Sequence, residues 1–415
     1  MNDKDSVLVI GAGLAGARTV EALRALGCDA RVRLAGEEAD RPYIRPPLSK
    51  ELLRGTKDKD SVFVHDDAWY RDNDVDLITG VHVADLDLGS STARLSGGAS
   101  LAFGRLALTT GARSRTLDVP GADAPNVLLL RTLPESEELR RRLDAADRLV
   151  VIGSGWIGLE VAAARAADVA VTVVEREAAP LSFMGPELSG VLTDLHLRNG
   201  VGFRLESQVE RIVVDDEGSA TAVVLGDGTE LECDVVLVAV GAVPNDGLAV
   251  RAGLDTDHGI LTTAALQSSH PAVFAAGDVA KAWHPRTRRH ERVEHWATAE
   301  HQPHVAAAAM LGIPASYDRL PYFFSDQYSL SFELTGFVVP GEYDEVVLRG
   351  DTSSTSFCMF WLAEGRVVAG LAAGDETPFD QVSLLVERRG RAAPERLADL
   401  DLPVADLDDA AHQTV

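Results

Sequence analysis

The sequence predicts an α/β protein with two Rossmann-like dinucleotide-binding domains and a small α+β domain towards its C-terminal end. Three observations carry this reading. Val7-Leu8-Val9-Ile10 runs into Gly11-Ala12-Gly13-Leu14-Ala15-Gly16, and an Ala/Leu-rich stretch over residues 17–26 follows at once. The same order returns at Leu149-Val150-Val151-Ile152 and Gly153-Ser154-Gly155-Trp156-Ile157-Gly158. Beyond Pro321, short apolar runs at 330–339, 346–349, 356–362 and 367–373 read as strands of a separate small domain.

Each glycine of a G-x-G-x-x-G turn has its own task. The first makes the tight turn, the second lets a pyrophosphate approach the backbone, and the third lets the helix pack on the strand. The phosphates then rest on the N–H groups at the positive end of the helix. A lone string of this kind is weak evidence. Two copies, each with a strand before and a helix after, point to two nucleotides bound by one chain.

Composition narrows the class. At 415 residues the chain is too long for one hydrophobic core. Its 46% hydrophobic and 25% charged content is that of a globular protein. No apolar run reaches the roughly 18–20 residues of a membrane span. Residues 1–5 lead directly into the first strand and leave no stretch for a signal peptide, so a cytoplasmic protein is expected. Cys28, Cys233 and Cys358 are isolated and form no C-x-x-C pair. They read as small buried hydrophobes, which removes a redox disulfide and a cysteine-ligated metal. A net charge of −25 argues against nucleic acid or an anionic membrane as partner.

In order along the chain, the second strand, 30–35, should end near an acid that takes the adenosine ribose of the first nucleotide. Gly36 closes that strand, and Glu37 is the candidate. Arg41-Pro42-Tyr43-Ile44-Arg45-Pro46-Pro47-Leu48-Ser49-Lys50 follows. Three prolines keep this arm extended and stiff, and its cations suit a diphosphate and a flavin ring. Residues 51–74 read as helix and loop; 75–78 and 81–86 read as strands.

The arm resembles the flavin arm of the FAD-dependent, NADH-linked ferredoxin reductases of the putidaredoxin reductase type, which serve bacterial monooxygenases and dioxygenases. Apoptosis-inducing factor is a more distant relative. The resemblance implies a glutathione-reductase-like fold, with FAD bound by residues 1–116 and 244–322, NADH by 117–243, and a C-terminal domain over 323–415. It assigns Glu37 to the FAD ribose, Arg45 to the pyrophosphate and Lys50 to the reactive edge of the isoalloxazine, with Gly11, Gly13, Leu14, Ala15, Gly16 and Pro47 in the same site. By the same resemblance the backbone near Val83 would meet the adenine. Thr110, Gly111 and Arg115 resemble the family's return to the cofactor, although without the family Arg113 and Arg115 read equally well as surface charges. The family commonly has Asp where Ile44 stands; no effect on flavin binding is expected.

The inserted second domain carries Gly153, Gly155, Trp156, Ile157 and Gly158 for NADH. Its second strand ends at Glu175, which accepts both ribose hydroxyls and repels a 2′-phosphate. NADH is therefore preferred to NADPH, with Arg176 the dissenting neighbour. Glu160 is either a plain helix acid or, as in the family, the partner of Lys50 beside the nicotinamide. Gly241 ends the last strand of the insert. Val273-Phe274-Ala275-Ala276-Gly277-Asp278 resembles the family motif that sets Gly277 and Asp278 at the ribityl chain. Glu294-His295-Trp296 resembles the segment beside the flavin, and Trp296 would pack on it. Phe324 stands where the family has Trp. The acidic tail after Leu400 is expected to fray.

Arg286, Arg288, Arg289 and Arg292 form a dense basic run, either a solvated loop or a dock for an acidic redox partner. Disulfide reductases of this fold carry a cysteine pair, and NADH peroxidases one cysteine, where Arg45–Lys50 stands here. With neither, the expected reaction is hydride transfer from NADH to FAD, then single-electron transfer to a [2Fe–2S] ferredoxin. Lys50, Glu160 and Trp296 would be its catalytic residues. Rubredoxin reduction, NADH oxidation by oxygen, and a signalling role like that of apoptosis-inducing factor are the alternatives. A monomer or weak dimer is expected.

Overall fold

The computed structural model describes residues 6–374 and 378–408. Residues 1–5 and the end of the acidic tail lie outside the described residues. The chain divides into two compact units. The first comprises residues up to Pro46, Asp58–Arg113 and Ala242–Arg319; the second comprises Pro47–Lys57, Ser114–Gly241 and everything from Leu320.

The first unit is built on a parallel sheet of five strands in the order Val273–Ala275, Arg105–Leu108, Val7–Ile10, Val32–Ala35 and Val75–Ile78. Alternation sends Leu8 and Ile10 into one apolar cluster with Leu106 and Val273, and Val7 and Val9 into another with Leu34 and Phe274. A sheet buried on both faces needs continuous apolar strands, which explains the unbroken Val-Leu-Val-Ile run. The helix Leu14–Ala25 starts earlier than the sequence pattern indicates, because Gly13, in extended backbone, is its N-cap and the third glycine lies inside the first turn. The second strand is Val32–Ala35, shorter than expected at its start, and the strand expected over 81–86 spans Val83–Asp87.

The second unit holds another parallel sheet, in the order Gly202–Arg204, Ala170–Val174, Arg148–Ile152, Val235–Val238 and Val127–Leu128. The helix Trp156–Arg165 follows the glycine turn, as Leu14–Ala25 does in the first unit. A capping box closes the N-terminus of Leu133–Leu143, with Thr132 and Glu135 satisfying each other's backbone N–H groups.

The same unit contains an antiparallel sheet ordered Tyr322–Gln327, Leu330–Gly336, Arg366–Ala373, Phe357–Ala363 and Glu345–Gly350. In Phe357–Ala363, Phe357, Met359 and Trp361 face a cluster containing Leu188 and Leu192. Cys358, Phe360 and Leu362 face the helix Phe379–Glu387. The tail expected to fray after Leu400 is packed as far as it is described, with Val404 and Leu407 buried in that second cluster. Cys28, Cys233 and Cys358 are buried free thiols. Burial pushes Cys233 and Cys358 up to about 11, which makes both poor nucleophiles.

Candidate functional site

In the first unit the glycine turn is organised around an opening. A Cβ on Gly11 would lie 2.2 Å from the Thr109 carbonyl oxygen, and one on Gly16 would lie 2.1 Å from that of Gly11, so the protein's own backbone excludes side chains there. Gly13 is different. Its φ of −88° is ordinary, and the nearest atom to an added Cβ is a guanidinium nitrogen of Arg45 at 4.0 Å. Nothing in the unit requires glycine at this position. What a methyl group would obstruct is an anion lying between the helix N-terminus and Arg45, and the turn therefore fits a pyrophosphate.

Arg45 is held for that task. Glu38 accepts from it at 2.9 Å, the Tyr43 hydroxyl lies 3.1 Å away, and Tyr43 donates in turn to Glu38. Burial opposes the charge, but Tyr43, Glu38 and Asp278 outweigh it and leave the guanidinium above its usual pKa. Glu37 stands exposed on the loop with its carboxylate 3.2 Å from His82, whereas Glu38, which sequence reasoning passed over, holds the arginine.

The other first-unit candidates come from three further segments. Gly277, at φ +79°, donates its N–H to Gln302 at 2.9 Å and abuts Ala15, where a Cβ would come within 2.9 Å. Asp278 follows, its carbonyl accepting from Arg292 at 3.3 Å, and Arg292 also pairs with Glu294. His295 caps the helix Trp296–Met310 by accepting the Ala297 N–H at 3.2 Å, and Trp296 is the first residue of that helix. Thr110 and Asn245 exchange hydrogen bonds of 2.8 and 2.9 Å, which holds the turn at Gly111. Leu14, Ala15 and Val83 are buried.

The second unit repeats the glycine pattern. A Cβ on Gly153 would meet the Ala239 carbonyl at 2.5 Å and one on Gly158 would meet that of Gly153 at 2.3 Å, while Gly155 has nothing within 4 Å. Glu175 faces this turn. It accepts from the Ser154 N–H at 2.9 Å and hydroxyl at 2.6 Å, and from the Glu177 N–H at 3.0 Å. Burial pushes the carboxyl up, yet these bonds hold it below its ordinary value. Arg176 points away to Glu177 at 3.1 Å and is largely exposed. Trp156 packs on Phe323 and Phe332, with ring centroids 4.3 and 5.5 Å apart, whereas Ile157 is exposed. The Gly241 carbonyl accepts from the Arg115 N–H at 2.9 Å.

Lys50 and Glu160 also meet within this unit. Lys50 Nζ lies 2.7 Å from Glu160, and both side chains are nearly buried, 6% and 7% exposed. The carboxylate also accepts from Ser49 at 2.5 Å and Ser325 at 2.8 Å. The Phe324 ring centroid lies 5.6 Å from the ammonium, and Pro47 is buried in the single turn before Lys50. Burying a pair costs several kcal/mol per ion, roughly offset only when the two charges meet closely and further hydrogen bonds use the remaining lone pairs, as the two serines do for Glu160.

Comparison with known proteins gives the family. Residues 5–302 match the family described as pyridine nucleotide-disulphide oxidoreductase, and 322–408 match the reductase C-terminal domain. The ferredoxin–NAD(+) reductase component of the anthranilate 1,2-dioxygenase system of Burkholderia cepacia is 37% identical over 95% of this chain and 97% of its own. The structure of the ferredoxin reductase for the CYP199A2 system of Rhodopseudomonas palustris superposes with a TM-score of 0.92, at 35% identity over 97% of this chain and 100% of the other. Putidaredoxin reductase, in its covalent complex with putidaredoxin, gives 0.94 at 34% identity over 99% of both chains. The chain belongs to the pyridine nucleotide-disulphide oxidoreductase family, in its ferredoxin reductase branch. It is an oxidoreductase with FAD and NADH as cofactors.

In this reductase the basic run forms a hairpin between the strands Ala280–His284 and Arg289–Glu291. Arg289 and Arg292 pair with Glu291 and Glu294, two residues on. Arg286 and Arg288 are exposed at the turn, with Arg288 at φ +56°. Among the described residues, no helix is long and apolar enough to cross a membrane.

Proposed function

We propose that this reductase carries electrons from NADH to a [2Fe–2S] ferredoxin that feeds a haem monooxygenase or a ring-hydroxylating dioxygenase. FAD, when bound, supplies the conversion: it accepts a hydride from NADH and returns two electrons singly, to two ferredoxins, with one proton released. The protein's part is placement. Gly13 and Arg45 hold the FAD pyrophosphate, Glu37 its ribose, and Asp278 its ribityl chain. Gly155 admits the NADH pyrophosphate, and Glu175 accepts both hydroxyls of the nicotinamide nucleotide's adenosine ribose. Lys50, fixed by Glu160, sets a positive charge at the flavin, and Trp296 and Phe324 cover the ring. Arg286 and Arg288 steer an acidic ferredoxin towards an enzyme of net charge −25, which would otherwise repel it. Three cysteines kept as thiols fit a cytoplasmic location.

The buried Lys50–Glu160 pair carries the reading, because it occupies the stretch where sulfur-relay relatives keep thiols. The purified protein should be yellow, bleach with NADH under argon, and then reduce a [2Fe–2S] ferredoxin faster than rubredoxin or oxygen. Failure to bleach removes the proposal; preference for another acceptor in that panel removes the ferredoxin.

A further inference from the structure

The polar interior of the second unit extends well beyond Lys50 and Glu160. Ser325 Oγ lies 2.8 Å from Glu160 Oε1 and 3.2 Å from Gln327 Nε2. Gln327 Oε1 lies 2.8 Å from His196 Nε2, and His196 Nδ1 lies 3.2 Å from the Tyr328 hydroxyl. Ser325, Gln327 and His196 are fully buried, at 0% exposure. Polar groups so enclosed are kept only when each has a partner.

The direction of the chain is fixed from the Glu160 end. A carboxylate only accepts, so the one proton of Ser325 points at Glu160. The other neighbour of Ser325 must then donate, which turns the Gln327 amide nitrogen towards it and the Gln327 oxygen towards His196. His196 therefore donates from Nε2, and its Nδ1 accepts from Tyr328. Burial lowers the His196 pKa and raises that of Tyr328, which keeps the first neutral and the second a donor. All four hydrogen bonds point the same way.

We propose that Tyr328, His196, Gln327 and Ser325 form a one-way hydrogen-bonded chain that holds the Glu160 carboxylate against Lys50, and that His196 and Gln327 are positioning residues for this pair. The proposal rests on the role given above to Lys50 and Glu160. Successive bonds of one sense polarise one another and strengthen the last, which falls on the charge. The amide in the middle has no proton to give up, so the chain orients rather than conducts. Tyr328 sits at φ +54° in the two-residue turn between Tyr322–Gln327 and Leu330–Gly336. Gly, Asn or Asp is usual there, and a tyrosine accepts backbone strain to bring its hydroxyl to His196.

The test uses the holoenzyme labelled with 15N-histidine, with His196→Asn to assign the signal. The wild-type His196 imidazole should be neutral and protonated at Nε2. Flavin reduction by NADH, followed by stopped flow under argon, should slow about fivefold in Gln327→Met, the scale of one lost hydrogen bond. It should slow by less than about twofold when the same change is made in Glu160→Gln, since coupled residues do not add. An Nδ1-protonated His196, or equal losses in the two backgrounds, overturns the chain. If Gln327→Met does not fold, Tyr328→Phe, which deletes one hydroxyl, carries the same comparison. Should Glu160→Gln alone leave reduction unchanged, the role of the Lys50–Glu160 pair falls, and the His196 signature still decides whether the chain exists.

Discussion

Replacing Gly155 by alanine should abolish tight NADH binding without loosening the fold, and replacing Gly158 should do the reverse. The backbone at Gly155 has φ −71°, which alanine adopts freely, and an added Cβ meets nothing within 4 Å. Alanine is a poorer helix N-cap than glycine by several tenths of a kcal/mol, and its stiffer unfolded chain returns about 0.4–1 kcal/mol, so stability should change by less than about 0.5 kcal/mol. The methyl group would instead keep a pyrophosphate away from the N–H groups of the turn. One charge-assisted hydrogen bond lost, about 2 kcal/mol, weakens binding about thirtyfold. At Gly158 the Cβ would sit 2.3 Å from the Gly153 carbonyl oxygen and 3.2 Å from Val151 Cγ1. Helix and turn must part, at the roughly 1–3 kcal/mol of overpacking, and the melting midpoint drops by several degrees. NADH titration of the flavin-loaded enzyme and thermal unfolding separate the two, with flavin absorbance confirming that the FAD site is intact. Normal NADH affinity in Gly155→Ala, or early melting of that variant, would refute the view that this glycine is kept for a ligand.

Further outcomes follow from the same geometry. Glu175→Ala should weaken NADH far more than NADPH, and Ser154→Ala should do so to a smaller degree because its hydroxyl fixes the Glu175 carboxylate at 2.6 Å; the two KM values report it. Equal losses for both nucleotides would show that another residue takes the ribose. His196 is buried with its pKa lowered, so the unfolded chain binds a proton that the folded chain resists. Stability should be full above the ordinary histidine value of about 6.5 and fall as pH descends through it, and this slope should shrink in His196→Asn when unfolding is compared at about pH 7.5 and about pH 5.5. Arg286→Glu with Arg288→Glu should slow ferredoxin reduction about tenfold at low salt, leave reduction of the flavin by NADH unchanged, and lose its effect at high ionic strength. Lys50→Met strands a buried carboxylate and should cost about 3–5 kcal/mol in denaturant unfolding, much of it recovered when Glu160→Leu is added.

What was legible in the sequence is what local spacing determines. Unbroken apolar runs and the two glycine turns announce strands buried on both faces and the helices after them, and Val75–Ile78 falls where its pattern puts it. Both third glycines are demanded by backbone oxygens within 2.3 Å, a constraint independent of any ligand. Long-range pairing was legible only where the family resemblance supplied it, as for Lys50 and Glu160. His196 and Gln327 are 131 residues apart, and only the packed sheet brings them together. Ser325 and Gln327, two apart on the inner face of one strand, were the available signal: polar residues where the alternation calls for apolar ones. The Glu37-Glu38 doublet offered two acids, and only the position of Arg45 distinguishes them. The basic run overstated its own charge, because Glu291 and Glu294 follow Arg289 and Arg292 at the period of a strand. The tail looked acidic and loose, yet Leu402, Val404 and Leu407 carry enough apolar surface to join the last core.

In the proposed function, the buried ion pair is what separates this chain from the sulfur-relay members of its family. Apolar residues of similar volume would fill the same space with little net loss, so stability alone does not account for the pair. Sulfur cannot replace it, because Cys28, Cys233 and Cys358 are all buried and lie outside the Pro47–Lys57 segment. Where a thiol relay would accept two electrons and form a covalent bond, Lys50 offers only a fixed positive charge. A fixed charge tunes and orients a redox ring but stores no electrons. Electrons delivered in pairs by NADH must therefore leave from the ring itself, and an acceptor that takes them one at a time is the chemical match: a protein with an iron–sulfur cluster rather than a disulfide substrate. The four hydrogen bonds behind Glu160 fit this division of labour, since a charge that acts only through its position has to be held still.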